Sequence, residues 1–307
     1  MLFVTLEQIF NQFYFSLILV IAFIFGGIFF YPVKELRISG KRGLIFTFFC
    51  LTIVLIIRWF SSRHLPLSNL YESLIFISWN SCLIQIILEV LNPNIRWLGA
   101  ITTPSAMFTH GFATLVLPKE MQQTETVVPS LQTHWLMMHV IIILLAYIIL
   151  LCGSLASIAL LILSSKEKFS SSLFLCSNIS VEKKEKSYFP FLVENFRKLQ
   201  LIQQLDQLGY YTLFIGFILL TIGILSGAVW ANEAWGSYWN WDPKEIWALI
   251  TWLIFAIYIH IRLNKGWKGK KPALVASIGF LFVWICYFGV NLLGIGFHSY
   301  GWFIYNG

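Results

Sequence analysis

The chain carries long runs in which almost nothing is polar, and runs of that kind have few ways to fold. Eight can be drawn, at about 11–32, 43–60, 71–91, 98–117, 135–163, 209–229, 244–263 and 273–294. Most are close to the roughly 20 residues that a helix rising about 1.5 Å per residue needs to cross a hydrocarbon core. Inside lipid every backbone N–H and C=O must be satisfied within the structure, which leaves helices or closed barrels. The runs are continuously apolar rather than alternating, and that selects helices. The expected fold is all-α, a polytopic membrane bundle of about eight transmembrane helices. The fourth run, which contains Pro104 and His110, is the weakest of them. With 58% hydrophobic and 11% charged residues, the chain lies outside the composition of a water-soluble domain.

Lys and Arg are spread unevenly between the runs. Seventeen of the 21 fall in the segments 33–42, 92–97, 164–208 and 262–272, leaving Arg58, Arg63, Lys119 and Lys244 for the other side. The positive-inside tendency puts the seventeen on the cytoplasmic, matrix or stromal face and both chain ends opposite. This accounts for the net charge of +7 without nucleic acid. The inner segment 164–208 mixes serine runs with EKKEK and FRKLQLIQQLDQL. It reads as a solvated loop followed by a short amphipathic helix at the membrane surface. No cleavable leader is expected at the start of the chain.

On the outer side falls the run Trp230 to Trp247, WANEAWGSYWNWDPKEIW, with five of the thirteen tryptophans and Tyr238. An interfacial aromatic belt would explain indoles at this level. The order within WGSYWNWD asks for more: Gly236 sits where the backbone must turn or be closely approached, and Trp239 and Trp241 follow with one spacer. A flat aromatic platform for a large planar ligand fits that order, with haem as the candidate. Asp242 reads as the N-cap of the next helix, with Pro243 in the first helical position and Glu245 three residues on to complete a capping box. Five cysteines show neither CxxC nor CxxCH spacing, so disulfide exchange and thioether-bound haem are not expected of the chain itself.

Trp235, Gly236, Trp239, Trp241 and Asp242 match a WGxxWxWD signature, and through them the chain resembles the WWD-motif haem-handling family of system II cytochrome c assembly, in its chloroplast CcsA type. The likeness continues through DPKEIWALITW and His260 to GVNLLGIGFHSYG, and includes LQTHWLMMHV upstream. It thus covers most of the chain from about residue 130, and the first third matches mainly in its pattern of spans. The resemblance divides the chain into N-terminal transmembrane helices, about four, at 1–134, and a haem-handling membrane domain at 135–307. The second part contains the WWD loop at 230–247 and a stromal loop at 164–208.

Depth sorts the six histidines. His139, near the outer start of the fifth span, and His298, beyond the outer end of the eighth, are level with the tryptophan run, and imidazole is a common axial ligand of haem iron. A plain interfacial histidine donating to a carbonyl is the alternative for each. The family resemblance implies that His139 and His298 are the axial pair. His134 competes with His139, and the family pattern favours the histidine followed by Val. His260 lies fifteen residues after Glu245, on the order of 22 Å along the helix axis and near the inner side, where an ionisable group is costly enough to suggest function. By resemblance it marks transmembrane haem entry. His64 and His110 read as structural. Lys244, Arg58 and Arg63 are candidates to pair with propionates.

No acid, base or nucleophile of the usual kind is identifiable, so no catalytic residue is assigned, and any catalysis comes from positioning. The resemblance implies haem b held non-covalently as a transported substrate and presented to the CxxCH of apocytochrome c. It implies a role as one component of a cytochrome c synthase complex with a CcsB-type membrane partner. It also implies a multi-pass place in the chloroplast thylakoid membrane, with a bacterial inner membrane as the alternative. The competing function is a membrane electron-transfer protein of cytochrome b type, followed by a small-molecule exporter without haem.

Overall fold

The computed structural model describes residues 2–30, 33–91, 98–123, 133–175 and 185–289. Among these there are eight α-helices and no strand: α1 Leu2–Phe30, α2 Lys34–Ser62, α3 Leu70–Leu91, α4 Leu98–Gly111, α5 His134–Leu175, α6 Glu185–Trp235, α7 Pro243–Asn264 and α8 Lys270–Trp284. The all-α expectation holds, and seven of the helices are long and apolar enough to cross a membrane. The eighth, α4, has 14 residues with Pro104 inside it and continues as a five-residue π-turn, Phe112–Val116.

Two helices outrun the spans drawn from sequence. α5 has 42 residues and α6 has 51. The stretch FRKLQLIQQLDQL, read above as a separate surface helix, is instead continuous with the span that follows. Nothing between Lys198 and Gly209 breaks a helix, and Gly209 is in ordinary contact with α5. A Cβ there would stand 3.4 Å from Ser157 Oγ.

The chain forms two compact units. The first holds residues up to Ile148 together with Leu219–Glu245, and the second holds Ile149–Ile218 together with Ile246–Phe288. In the first, α1 packs on α2 and α4, and α3 packs on α2 and α4, a closed ring of four helices. Tyr14, Ile18, Phe25, Leu44, Leu51, Leu70 and Leu74 fill its centre.

One end of this ring holds a buried ionic cluster. Arg58, only 3% exposed, donates from Nε to Glu72 Oε1 and from Nη1 to Glu7 Oε1, each at 2.7 Å, and from Nη2 to the Gln122 carbonyl at 2.9 Å. Glu72 Oε2 accepts from the Ser68 amide and hydroxyl at 2.8 and 2.7 Å. Asn69 caps α3 by accepting from the Glu72 amide, and its side-chain amide donates to the Met121 and Gln123 carbonyls. A guanidinium whose donors are shared among two carboxylates and a carbonyl is what makes charge tolerable inside an apolar bundle.

In the second unit α5 and α6 meet through glycine. A Cβ on Gly153 would lie 2.6 Å from Thr212 Oγ1, and one on Gly216 would lie 2.8 Å from Leu150. Small residues at the contact let membrane helices approach closely. Asp206 of α6 accepts from Arg262 of α7 at 2.9 and 3.1 Å, and from the Gly269 amide at the start of α8 at 3.0 Å.

Candidate functional site

The tryptophan-rich segment joins α6 to α7 and is fixed at both ends. α6 ends when Gly236 turns left-handed at φ 74°, its amide donating to the Asn232 carbonyl at 2.9 Å. This is a left-handed C-cap, which favours glycine. At the other end Asp242, 5% exposed, accepts from the Lys244 amide at 3.2 Å. Glu245 reaches back to accept from the Asp242 amide at 3.2 Å and the Asn240 amide at 2.9 Å. The reciprocal capping box expected from DPKE is therefore present, with the carboxylates placed at the positive end of the α7 dipole.

Between these anchors the rings stay outside. Trp241 is 69% exposed and Tyr238 60%, while Trp230, still within α6, is buried and meets Trp235 edge-on with centroids 4.7 Å apart. Trp241 also has φ 57°, a left-handed conformation that costs a bulky side chain about 1–2 kcal/mol and that tends to persist where function requires it. Trp239 and Trp241 lie 6.1 Å apart at 87°. The rings thus form a corner, not the single flat plane expected from sequence, because the left-handed turn at Trp241 swings its side chain out of line with that of Trp239.

His139 belongs to the same compact unit. α5 starts at His134, with Thr133 Oγ1 accepting from the Leu136 amide at 3.4 Å, so His134 occupies the exposed first position and His139 faces inward, half-buried. Its Nδ1 lies 2.7 Å from the Gly223 carbonyl of α6. A carbonyl only accepts, so Nδ1 carries a proton; in the neutral imidazole the lone pair is then on Nε2, the form a metal-ligating histidine takes. The carbonyl-donating histidine and the axial ligand, weighed above as alternatives, are compatible. Glycines 223 and 227 were not singled out in the sequence, although GILSG spells a GxxxG pair.

His298 lies outside the described residues. His260 is exposed on α7, with Asn264 Nδ2 at 3.1 Å from its Nδ1. His110 is buried against the rings of Tyr14 and Phe15, its Nε2 3.2 Å from Asn11 Oδ1, and His64 Nδ1 donates to the Leu65 carbonyl at 2.9 Å. Of the three propionate candidates, Arg58 is consumed inside the bundle by Glu7 and Glu72. Charged residues inside α1 and α3 were the available signal for that commitment.

Residues 67–298 match the family model described as cytochrome C assembly protein. The match begins in the first four helices, well before the residue near 130 where the motif likeness starts. The chain is similar to a protein of Welwitschia mirabilis named cytochrome c biogenesis protein CcsA, 66% identical over 99% of this chain and 100% of the relative. Proteins of the same name from Pinus thunbergii, 57% identical over 98% of this chain and 99% of the relative, and Oryza sativa, 52% identical over 99% of each, are similar too. Among solved structures, the cytochrome c heme lyase CcmF superposes with a TM-score of 0.59 over 93% of this chain and 50% of that one. At 16% identity that likeness concerns the fold.

Proposed function

Since this chain belongs to the cytochrome c assembly protein family, we propose that its part in cytochrome c biogenesis is to receive haem b non-covalently and present it to apocytochrome c. The corner formed by Trp239 and Trp241 stacks against the porphyrin, Gly236 and Asp242 hold that corner in place, and His139 and His298 supply the axial nitrogens. Lys244 is the cation for the propionates, with Arg63 as the alternative. His260, exposed on its helix at inner depth, meets haem before it reaches the outer site. Exposure of an ionisable side chain on a membrane helix favours a partner surface there over lipid, and a CcsB-type protein is the proposed partner. The complex acts as a cytochrome c synthase in the thylakoid membrane.

The chemistry needs no acid or base from this chain. Each substrate thiol adds across a haem vinyl group: the sulfur bonds to one carbon, the thiol proton goes to the other, and no net oxidation occurs. What the site must do is fix the porphyrin's orientation and leave the vinyl edge open. The observation that carries the reading is the anchored loop, which keeps a strained tryptophan in the open between two well-formed caps.

The test is the visible spectrum of the purified complex, comparing wild type with His139→Gly and His298→Gly, with and without imidazole. Loss of the low-spin spectrum in each variant, restored when imidazole fills the vacated position, supports the axial pair. Unchanged haem in both would remove it and leave the tryptophans as an interfacial belt.

A further inference from the structure

We infer that Gly223 and Gly227 of α6 form the seat of the His139 imidazole, fixing both its tautomer and its ring plane. The inference rests on the reading of His139 as an axial ligand and concerns what makes it one. Two independent observations at the Nδ1 edge of the ring carry it. The Gly223 carbonyl takes the Nδ1 proton at 2.7 Å, and the same carbonyl accepts from Ser226 Oγ at 2.9 Å. Gly227, one turn on, has no side chain where one would collide with the imidazole: a Cβ there would stand 2.6 Å from both Cε1 and Nδ1. The contact is with a ring, which cannot yield as the tip of a flexible chain does, so any larger residue must rotate or expel it.

The seat lies on the side of α6 that faces α5. A Cβ on Gly223 would stand 2.9 Å from Ile143 Cδ1, and the buried Trp230 continues the same side one turn beyond Gly227. Gly227 precedes Trp235 by eight residues, about 12 Å along the axis, so one rigid helix carries both the histidine's seat and the start of the tryptophan loop. A displaced α6 would shift both together. Gly223 and Gly227 are positioning residues: they touch the ligand side chain and act on the iron through it, by orienting the ring and setting its basicity.

Two measurements test this. In the haem-free wild-type complex, labelled with nitrogen-15 histidine and assigned by the signal missing in His139→Gly, solid-state NMR should report a single His139 tautomer protonated on Nδ1. An Nε2-protonated ring, or a mixture, overturns the seat. In the haem-loaded complex Gly227→Ala should lose the low-spin spectrum as His139→Gly does and regain it with imidazole. Gly216→Ala, which crowds Leu150 on the same helix pair, should keep it. A Gly227→Ala protein with wild-type spectrum and midpoint potential, alongside a His139→Gly protein that has lost its haem, overturns the inference and spares the proposed function. A His139→Gly protein with an unchanged spectrum overturns the function instead, and the tautomer then decides the seat alone. If Gly227→Ala fails to accumulate, the wild-type tautomer measurement still decides.

Discussion

The corner around Arg58 and the loop from Gly236 to Asp242 both use residues that membrane helices seldom carry, and they finish them in opposite ways. Around Arg58 the polar groups are sealed in: the guanidinium is divided among Glu7, Glu72 and a carbonyl, and Glu72 is further held by Ser68. In the loop the polar groups are spent on the two ends, and the rings of Tyr238 and Trp241 are left out in the open. A region whose interactions are all internal can only support a fold. A region capped at both ends that leaves side chains exposed is the one the proposed function draws on. The difference also bears on the charges, since Arg58, buried and paired with Glu7 and Glu72, is not available to a ligand.

The sharpest way to break the comparison is Arg58→Ala. It leaves two buried carboxylates without their cation, a loss of about 3–5 kcal/mol, and should sharply reduce protein accumulation and the denaturation midpoint in mild detergent. Adding Glu7→Gln and Glu72→Gln should recover much of the midpoint, because the strain lies in the unpaired charge. A failure to recover would mean that the cluster has a use beyond support. Next in size is Asp242→Ala, which removes the α7 cap at a cost of about 1 kcal/mol and frees the loop. Haem retention should fall further than stability does. Asp242→Asn, which still caps, should keep both, and loss of haem in the Asn variant would show that the carboxylate charge itself is needed.

How far each region could be read in the sequence follows from the range of its interactions. The apolar runs located most of the helices because each helix satisfies its own backbone, and α4, with Pro104, was the doubtful one for a reason the structure repeats. The capping of α7 was legible to the residue, since Asp242, Pro243 and Glu245 act within one turn. The Arg58 cluster was not, because Glu7, Glu72 and Gln122 come from three distant parts of the chain that only packing brings together. The geometry of the tryptophans was half legible: Gly236 announced its turn, whereas the left-handed Trp241 carries no mark in its residue type. The seat of His139 was hidden differently. Its donor could be seen and its acceptor could not, because a backbone carbonyl has no letter in the sequence.

Smaller effects separate stability from function within the loop itself. Trp241→Asn exchanges a bulky left-handed residue for one that tolerates φ 57°, a relief of about 1 kcal/mol. It forfeits the edge contact with Trp239, worth about 0.5–1.5 kcal/mol. The two nearly cancel, so the denaturation midpoint should barely move while haem is lost from the purified complex. A large drop in the midpoint would instead make Trp241 a packing residue. The smallest effect belongs to Arg63, which ends α2 at φ 60° with its amide on the Trp59 carbonyl. Glycine suits that left-handed cap better, so Arg63→Gly should raise the midpoint by up to about 1 kcal/mol and leave haem content unchanged. If haem content falls while stability rises, the side chain was serving the ligand and not the helix, and Arg63 rather than Lys244 becomes the partner of a propionate.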